Sequence, residues 1–314
     1  MTKLASIAGL ALTSACSFSP LSGDSGYGVA SGDGSSVWTI GTNETAGTVF
    51  RLASDGAHEA VSFPGESLVS ISASSPTDVW VVGNGLHHYD GHGWTTRDMP
   101  MDPVFAIGRG WAVGVHGTIY DPASFAVLAG PNALIDLEPQ GPTVPSAWGD
   151  SPSDVWASDA GRLFHFTTAW TDVTPWSDEL PQQIVGTTAN DVWVSGFSGA
   201  MYHFDGTRWT TVLSNVNENV ISAMFAVASN DVWAVGLSGV AVHYDGNAWA
   251  PVALPPLACA NNGSESCMSI QLYGVWASSG SDVWITGYVQ QDPGGSPVLY
   301  HDDGQWHDVS DASP

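Results

Sequence analysis

Asn230 to Trp249 reads NDVWAVGLSGVAVHYDGNAW, and worn copies of it recur along the whole 314-residue chain. Its Val-Trp core returns at Val37-Trp38, Val79-Trp80, Val155-Trp156, Val192-Trp193, Val232-Trp233 and Val283-Trp284, and Gly110-Trp111 fills the same slot once. Trp38, Trp80, Trp111, Trp156, Trp193, Trp233 and Trp284 are therefore the marks of seven copies, spaced by 42, 31, 45, 37, 40 and 51 residues, a mean of 41. Self-similarity at that period belongs to chains built from supersecondary units that bury their apolar faces only by stacking on their neighbours.

Each copy contains four short segments of strand length, rich in Val, Ile, Trp and Tyr. In the second copy they are Leu68 to Ala73, Asp78 to Gly83, Leu86 to Asp90 and Trp94 to Arg97, here lettered A to D. A polar turn cluster joins A to B and a glycine turn joins B to C. Asp-Gly joins C to D at Asp90-Gly91, Asp205-Gly206 and Asp245-Gly246, where glycine supplies the positive φ of a tight hairpin. Four antiparallel strands repeated seven times without helical periodicity predict an all-β, seven-bladed β-propeller occupying residues 26–314 as one domain. The predicted blades run from about residue 26 to 64, 67 to 100, 103 to 130, 144 to 175, 182 to 214, 219 to 254 and 270 to 310. The chain starts with an A strand and ends with a D strand, so no blade is expected to be shared between the termini.

The seven strand-B tryptophans are read as structural, packed between blades together with strand-D aromatics at Trp94, Phe125, Trp170, Trp209, Trp249 and Trp306. A histidine repeated once per blade, at His88, His165, His203 and His243, is read as a packing or hydrogen-bonding element. The Asp before Val-Trp, at Asp78, Asp154, Asp191, Asp231 and Asp282, is expected to accept backbone N–H groups of its own turn.

Lys+Arg is 6 against Asp+Glu 31, a formal net charge of −25. Nucleic acid is excluded as a partner because too few cations exist to cluster on phosphates, and direct docking on anionic lipid is disfavoured by the same repulsion. Met1 to Cys16, MTKLASIAGLALTSAC, has a basic start, an apolar run and small residues, the plan of a secretory signal too short to span a bilayer. Leu12-Thr13-Ser14-Ala15-Cys16 resembles the lipobox of bacterial lipoproteins, with Thr13 where that family usually has Leu. The resemblance implies acylation of Cys16 and an outer-membrane anchor; the alternative is ordinary cleavage after Ala15. Residues 17–25 then form a polar tether reaching at most about 30 Å. Cys259 and Cys267, in an exported chain with no histidine beside them, are expected to form a local disulfide rather than a metal site.

The DVWAVG, glycine turn and HYDGxxW pattern resembles exported bacterial β-propellers with Val-Trp-Ala-Val-Gly repeats and is more distantly similar to Asp-box propellers. The box here is one residue tighter, as in Asp205-Gly206-Thr207-Arg208-Trp209, and lacks its Ser. Ile71 to Val82 and Gly117 to Asp121 also look like tectonin-type lectin repeats. Asp-box proteins include sialidases, which gather three arginines on a substrate carboxylate. The arginines here, Arg51, Arg97, Arg109, Arg162 and Arg208, fall on a C strand, a D strand, an A–B turn, a B–C turn and a C–D turn, so they do not converge. No phosphate loop, zinc motif or nucleophile elbow is present, and no catalytic residue, cofactor or metal is assigned.

D–A and B–C connections emerge on one face of a propeller and A–B and C–D turns on the other. The length variation falls on the first set: 42–47, 127–145, 172–181, 251–269 and 288–297. Repeat scaffolds place recognition on such rims, and Asp136, Glu138, Trp176, Asp178, Glu179, Asn261, Asn262, Tyr288 and Asp292 lie there. The expected protein is a monomeric, non-enzymatic envelope lipoprotein presenting this acidic face to another protein or a glycan. A lectin would use Trp176 and Tyr288 as sugar platforms; a hydrolase would bring carboxylates together at the channel mouth.

Overall fold

The structure is a computed structural model that describes residues 29–30, 36–42, 46–53, 58–108, 110–132, 135–136, 146–159, 161–212, 220–255, 269–279, 281–290, 295–302 and 304–308. Seven four-stranded antiparallel sheets follow one another along the chain, each with its strands in sequence order. Strand A is innermost, at Val29–Ala30, Ser70–Ser75, Val104–Gly108, Ser146–Ser151, Pro181–Thr188, Ile221–Ala228 and Ser269–Ser279 in blades one to seven. Each of these meets the A strands of both neighbouring blades, and Val29–Ala30 meets Ser269–Ser279, so the ring closes. The first sheet takes all its strands from the chain's beginning and the last all of its own from the chain's end, so closure does not rely on a shared blade.

The core lies between blades. Trp38, Trp111, Trp156, Trp193, Trp233 and Trp284 are buried and Trp80 is half-buried. In blades one, four and five the strand-B indole enters an aromatic slot on the next blade's C and D strands. Trp38 lies 5.1 Å from Tyr89 and 6.0 Å from Trp94, Trp156 5.4 Å from Phe204 and 5.7 Å from Trp209, and Trp193 4.8 Å from Tyr244 and 5.6 Å from Trp249. Each meets the D-strand indole edge-on, the arrangement that ring quadrupoles favour.

Three expectations change. Phe125 is not on strand D of blade three; that strand is Val127–Ala129, and Phe125 sits in the turn before it at φ 56. The connection from blade three to four therefore begins at Gly130, not Val127. The insertions at 42–47 and 288–297 continue their strands rather than looping: Thr42 pairs with Gly47, and Tyr288 with Pro297. Blade seven's B strand accordingly runs over Asp282–Gln290 and its C strand over Gly295–Asp302.

Candidate functional site

The face of A–B and C–D turns is regular. Asp90, Asp205 and Asp245 each accept two backbone N–H groups of their own C–D turn at 2.9–3.0 Å. Gly91, Gly206 and Gly246 adopt φ of +87, +88 and +92 and press on Thr77, Asn190 and Asn230 of the A–B turn, where a Cβ would come within 2.7–2.8 Å. Hydrogen bonds from the Thr207 hydroxyl and the Arg208 and Thr207 amides pull the Asp205 pKa down to about 2. Backbone donors likewise hold Asp90 and Asp245 below the usual carboxylate range.

The Asp that opens strand B does something other than cap its turn. Asp78, Asp154, Asp191, Asp231 and Asp282 take the Nε2–H of His88, His165, His203, His243 and His301 at 2.7–3.0 Å. Each imidazole stacks on its strand-B indole at 3.8–4.1 Å and 10–20°. Ser74 and Thr187 hydroxyls fill the second oxygen of Asp78 and Asp191. Burial pushes both carboxyls up, but these hydrogen bonds and the imidazole charge outweigh it and hold Asp78 and Asp191 below the ordinary value. Each Asp–His pair lies within its own blade, so these sets brace the sheets. The recurrence of His was visible in sequence, but its aspartate partner, twenty residues or fewer away, required the B–C register.

On the opposite face the D–A connections hold the B–C turns through carboxylates. Asp102, 8% exposed, accepts the His116 N–H and Nδ1–H at 2.9 Å and the Thr118 N–H at 3.1 Å. Glu179, 9% exposed, accepts the Leu180 N–H at 3.0 Å, the Ser198 N–H at 3.1 Å and the Ser198 hydroxyl. Glu66 reaches the buried His87 Nε2 at 2.7 Å. Each acid lies against the glycine that closes strand B: a Cβ on Gly83, Gly114 or Gly196 would come within 2.3–2.8 Å of the Glu66, Asp102 or Glu179 carboxylate. Glu179 is therefore an internal buttress, not a rim group free for a ligand.

Of the other rim residues, Asp136 and Asp178 are exposed. Trp176 is half-buried, 4.7 Å from Tyr202, and donates its indole N–H to the Gly161 carbonyl at 2.9 Å. Tyr288 lies in the extended blade-seven hairpin. Glu138, Asn261, Asn262 and Asp292 lie outside the described residues, as do Cys16, Cys259 and Cys267. The rim also carries Met101 and Phe197, 101% and 40% exposed, which residue-type patterning passed over because they sit in short connections.

Along the channel, the seven A strands contain one acidic residue, Asp150, and no Lys, Arg or His. Among the described residues no three His, Cys, Asp or Glu side chains are grouped as a metal site. No helix among them is long and apolar enough to cross a membrane.

No family model and no curated protein sequence matches the chain. Solved structures do. YCF48 bound to D1 peptide superposes at a TM-score of 0.62 with 17% identity, covering 91% of this chain and 95% of that one. YCF48 from Cyanidioschyzon merolae gives 0.61 and 16%, covering 90% and 97%. The WD40 β-propeller domain of Doa1 gives 0.58 and 9%, covering 93% and 96%. At these identities the likeness is one of fold: the chain is a complete seven-bladed β-propeller of the architecture that these proteins share.

Proposed function

We propose that the chain is a non-enzymatic, lipid-anchored envelope propeller that binds another protein through the face of D–A and B–C connections. The observation that carries this reading is the contrast between the faces. One repeats the same short self-satisfied turns, while the other carries the variable connections and the exposed Met101 and Phe197. Recognition in repeat scaffolds concentrates on such a face. The neighbour bound to a D1 peptide shows that this architecture accommodates a peptide. The described A strands, with Asp150 as their single carboxylate, supply no pair for general acid and base.

Export and anchoring rest on residues 1–25 and lie with the sequence. Radiolabelled palmitate incorporated into the wild-type chain and lost in Cys16→Ser supports the anchor; equal labelling of both overturns it. For binding, affinity capture from envelope extract with the Cys16→Ser chain, repeated after deletion of 251–269, tests the rim. A partner recovered by the intact chain and lost on deletion or on Phe197→Ser supports the reading, and a partner retained by both variants refutes it.

A further inference from the structure

On the rim where blades four and five meet, a chain of contacts builds one surface. In blades three, five and six the residue after the strand-B glycine is apolar and donates its N–H to the preceding D–A connection: Val115 to Pro103, Phe197 to Leu180 and Leu237 to Val220, at 2.8–3.0 Å. Val115 and Leu237 are half-buried, whereas Phe197 is 40% exposed. Glu179 fixes the same turn from beneath through Ser198. In the connection that supplies Glu179 and Leu180, Trp176 packs on the half-buried Tyr202. Gly161, which takes the Trp176 N–H, adjoins Arg162, itself held by Asp159 at 2.5 Å. Burial keeps Asp159 above its usual pKa despite that arginine, and the nearby Asp136 charge adds to the rise. The connection thus brings the Trp176–Tyr202 pair, the exposed Asp178 and, through the Leu180 hydrogen bond, the turn that carries Phe197 to one stretch of rim, with the exposed Asp136 near Asp159.

We propose that this surface receives a Lys or Arg side chain from an extended segment of a partner protein whose flanking residues are apolar. A cation is attracted to the negative face of an aromatic ring and to a bordering carboxylate, and the exposed Phe197 ring gives apolar neighbours a place to bury. The whole chain, at −25, steers such a segment inward and repels an acidic one. The inference rests on the protein-binding reading above and adds the chemistry of the partner and the place where it lands.

The test is calorimetric titration of the Cys16→Ser chain with two synthetic peptides, acetyl-GLRKLG-amide and acetyl-GLEELG-amide. The expected result is saturable binding of the basic peptide alone, weakened about tenfold by Phe197→Ser and about threefold by Asp178→Asn. Leu128→Ser, at an exposed apolar residue on the outer strand of blade three away from the rim, leaves it unchanged. Affinity unaltered in both Phe197→Ser and Asp178→Asn would show diffuse attraction to an acidic protein and overturn the site. Preference for the acidic peptide, or binding of neither, overturns the proposed chemistry, while captured partners sensitive to the rim would leave the protein-binding reading standing.

Discussion

The boundary between blades five and six and the seam between blades seven and one are built from the same repeat, yet they are furnished differently. At the first, Trp193 is wholly buried: His203 stacks on one side at 4.0 Å, and Tyr244 and Trp249 enclose it at 4.8 and 5.6 Å. At the seam, Trp284 keeps its stacked His301 at 3.9 Å. The positions that hold Tyr244 and Trp249 in blade six are, by register, Leu52 and His58 in blade one. Blade one also has Arg51 in the histidine slot, its guanidinium 5.3 Å over Trp38, and Ser36 where five of the other six blades have the bracing aspartate. Its innermost strand is two residues long. The aromatic enclosure is thus complete at the boundary between blades five and six and reduced at the seam that closes the ring. The stronger enclosure of Trp193 predicts that more stability is held at the boundary between blades five and six than at the seam.

The comparison is broken most directly by removing the two indoles. Trp193→Ala is expected to cost about 3–5 kcal/mol, the range for emptying a large aromatic site, and Trp284→Ala at least about 1 kcal/mol less. Urea unfolding of both variants checks this, and equal losses would remove the distinction. Next in size is the bracing network. Asp191→Ala leaves the His203 imidazole without its acceptor and is expected to cost about 1–3 kcal/mol in urea unfolding.

The same network carries a pH signature. Asp78 and Asp191 are held below their unfolded value of 3.8, so their contribution is fully present above about pH 4 and is lost as pH falls through the lowered folded values. Urea midpoints followed downward from pH 6 should therefore decline in that window, with a shallower decline in Asp191→Asn. Furnishing the seam works in the opposite direction. Leu52→Tyr together with His58→Trp is expected to gain about 0.5–1.5 kcal/mol, the worth of an aromatic pair; no gain would mean that blade one cannot present those positions to Trp284. The smallest effect lies in the exposed turns. Asp205 should titrate near pH 2 by carboxyl NMR, below Asp90 and Asp245, with scarcely any change in melting temperature for Asp205→Asn.

Much of this organisation was legible in the residues because its causes are local. Asp-Gly at a C–D turn needs only its own backbone, so the turn read from Asp205-Gly206 is the turn observed. The strand-B tryptophans were assigned to blade contacts from their period alone. The errors came where a distant segment intervenes. Phe125 was placed on strand D because an aromatic was expected there, but blade three is abbreviated and its edge strand starts two residues later. The five strand-B aspartates were given to their own turns, yet strand pairing offers each a histidine ten to nineteen residues away. In sequence Glu179 is one acid among several in a surface connection; its burial follows from Gly196, whose missing side chain leaves it room.

By itself the sequence determined the number of blades, the order of strands and the chemistry of the tight turns, because a period of 41 and the φ demands of Asp-Gly are properties of the chain taken along its length. Only the tertiary structure decided which carboxylates face inward as buttresses and which face solvent. It also decided that Phe197 stands exposed where the corresponding Val115 and Leu237 are half-buried. Those outcomes depend on which connections lie against one another around the ring, and burial is a property of neighbours in space that no position along the chain carries alone.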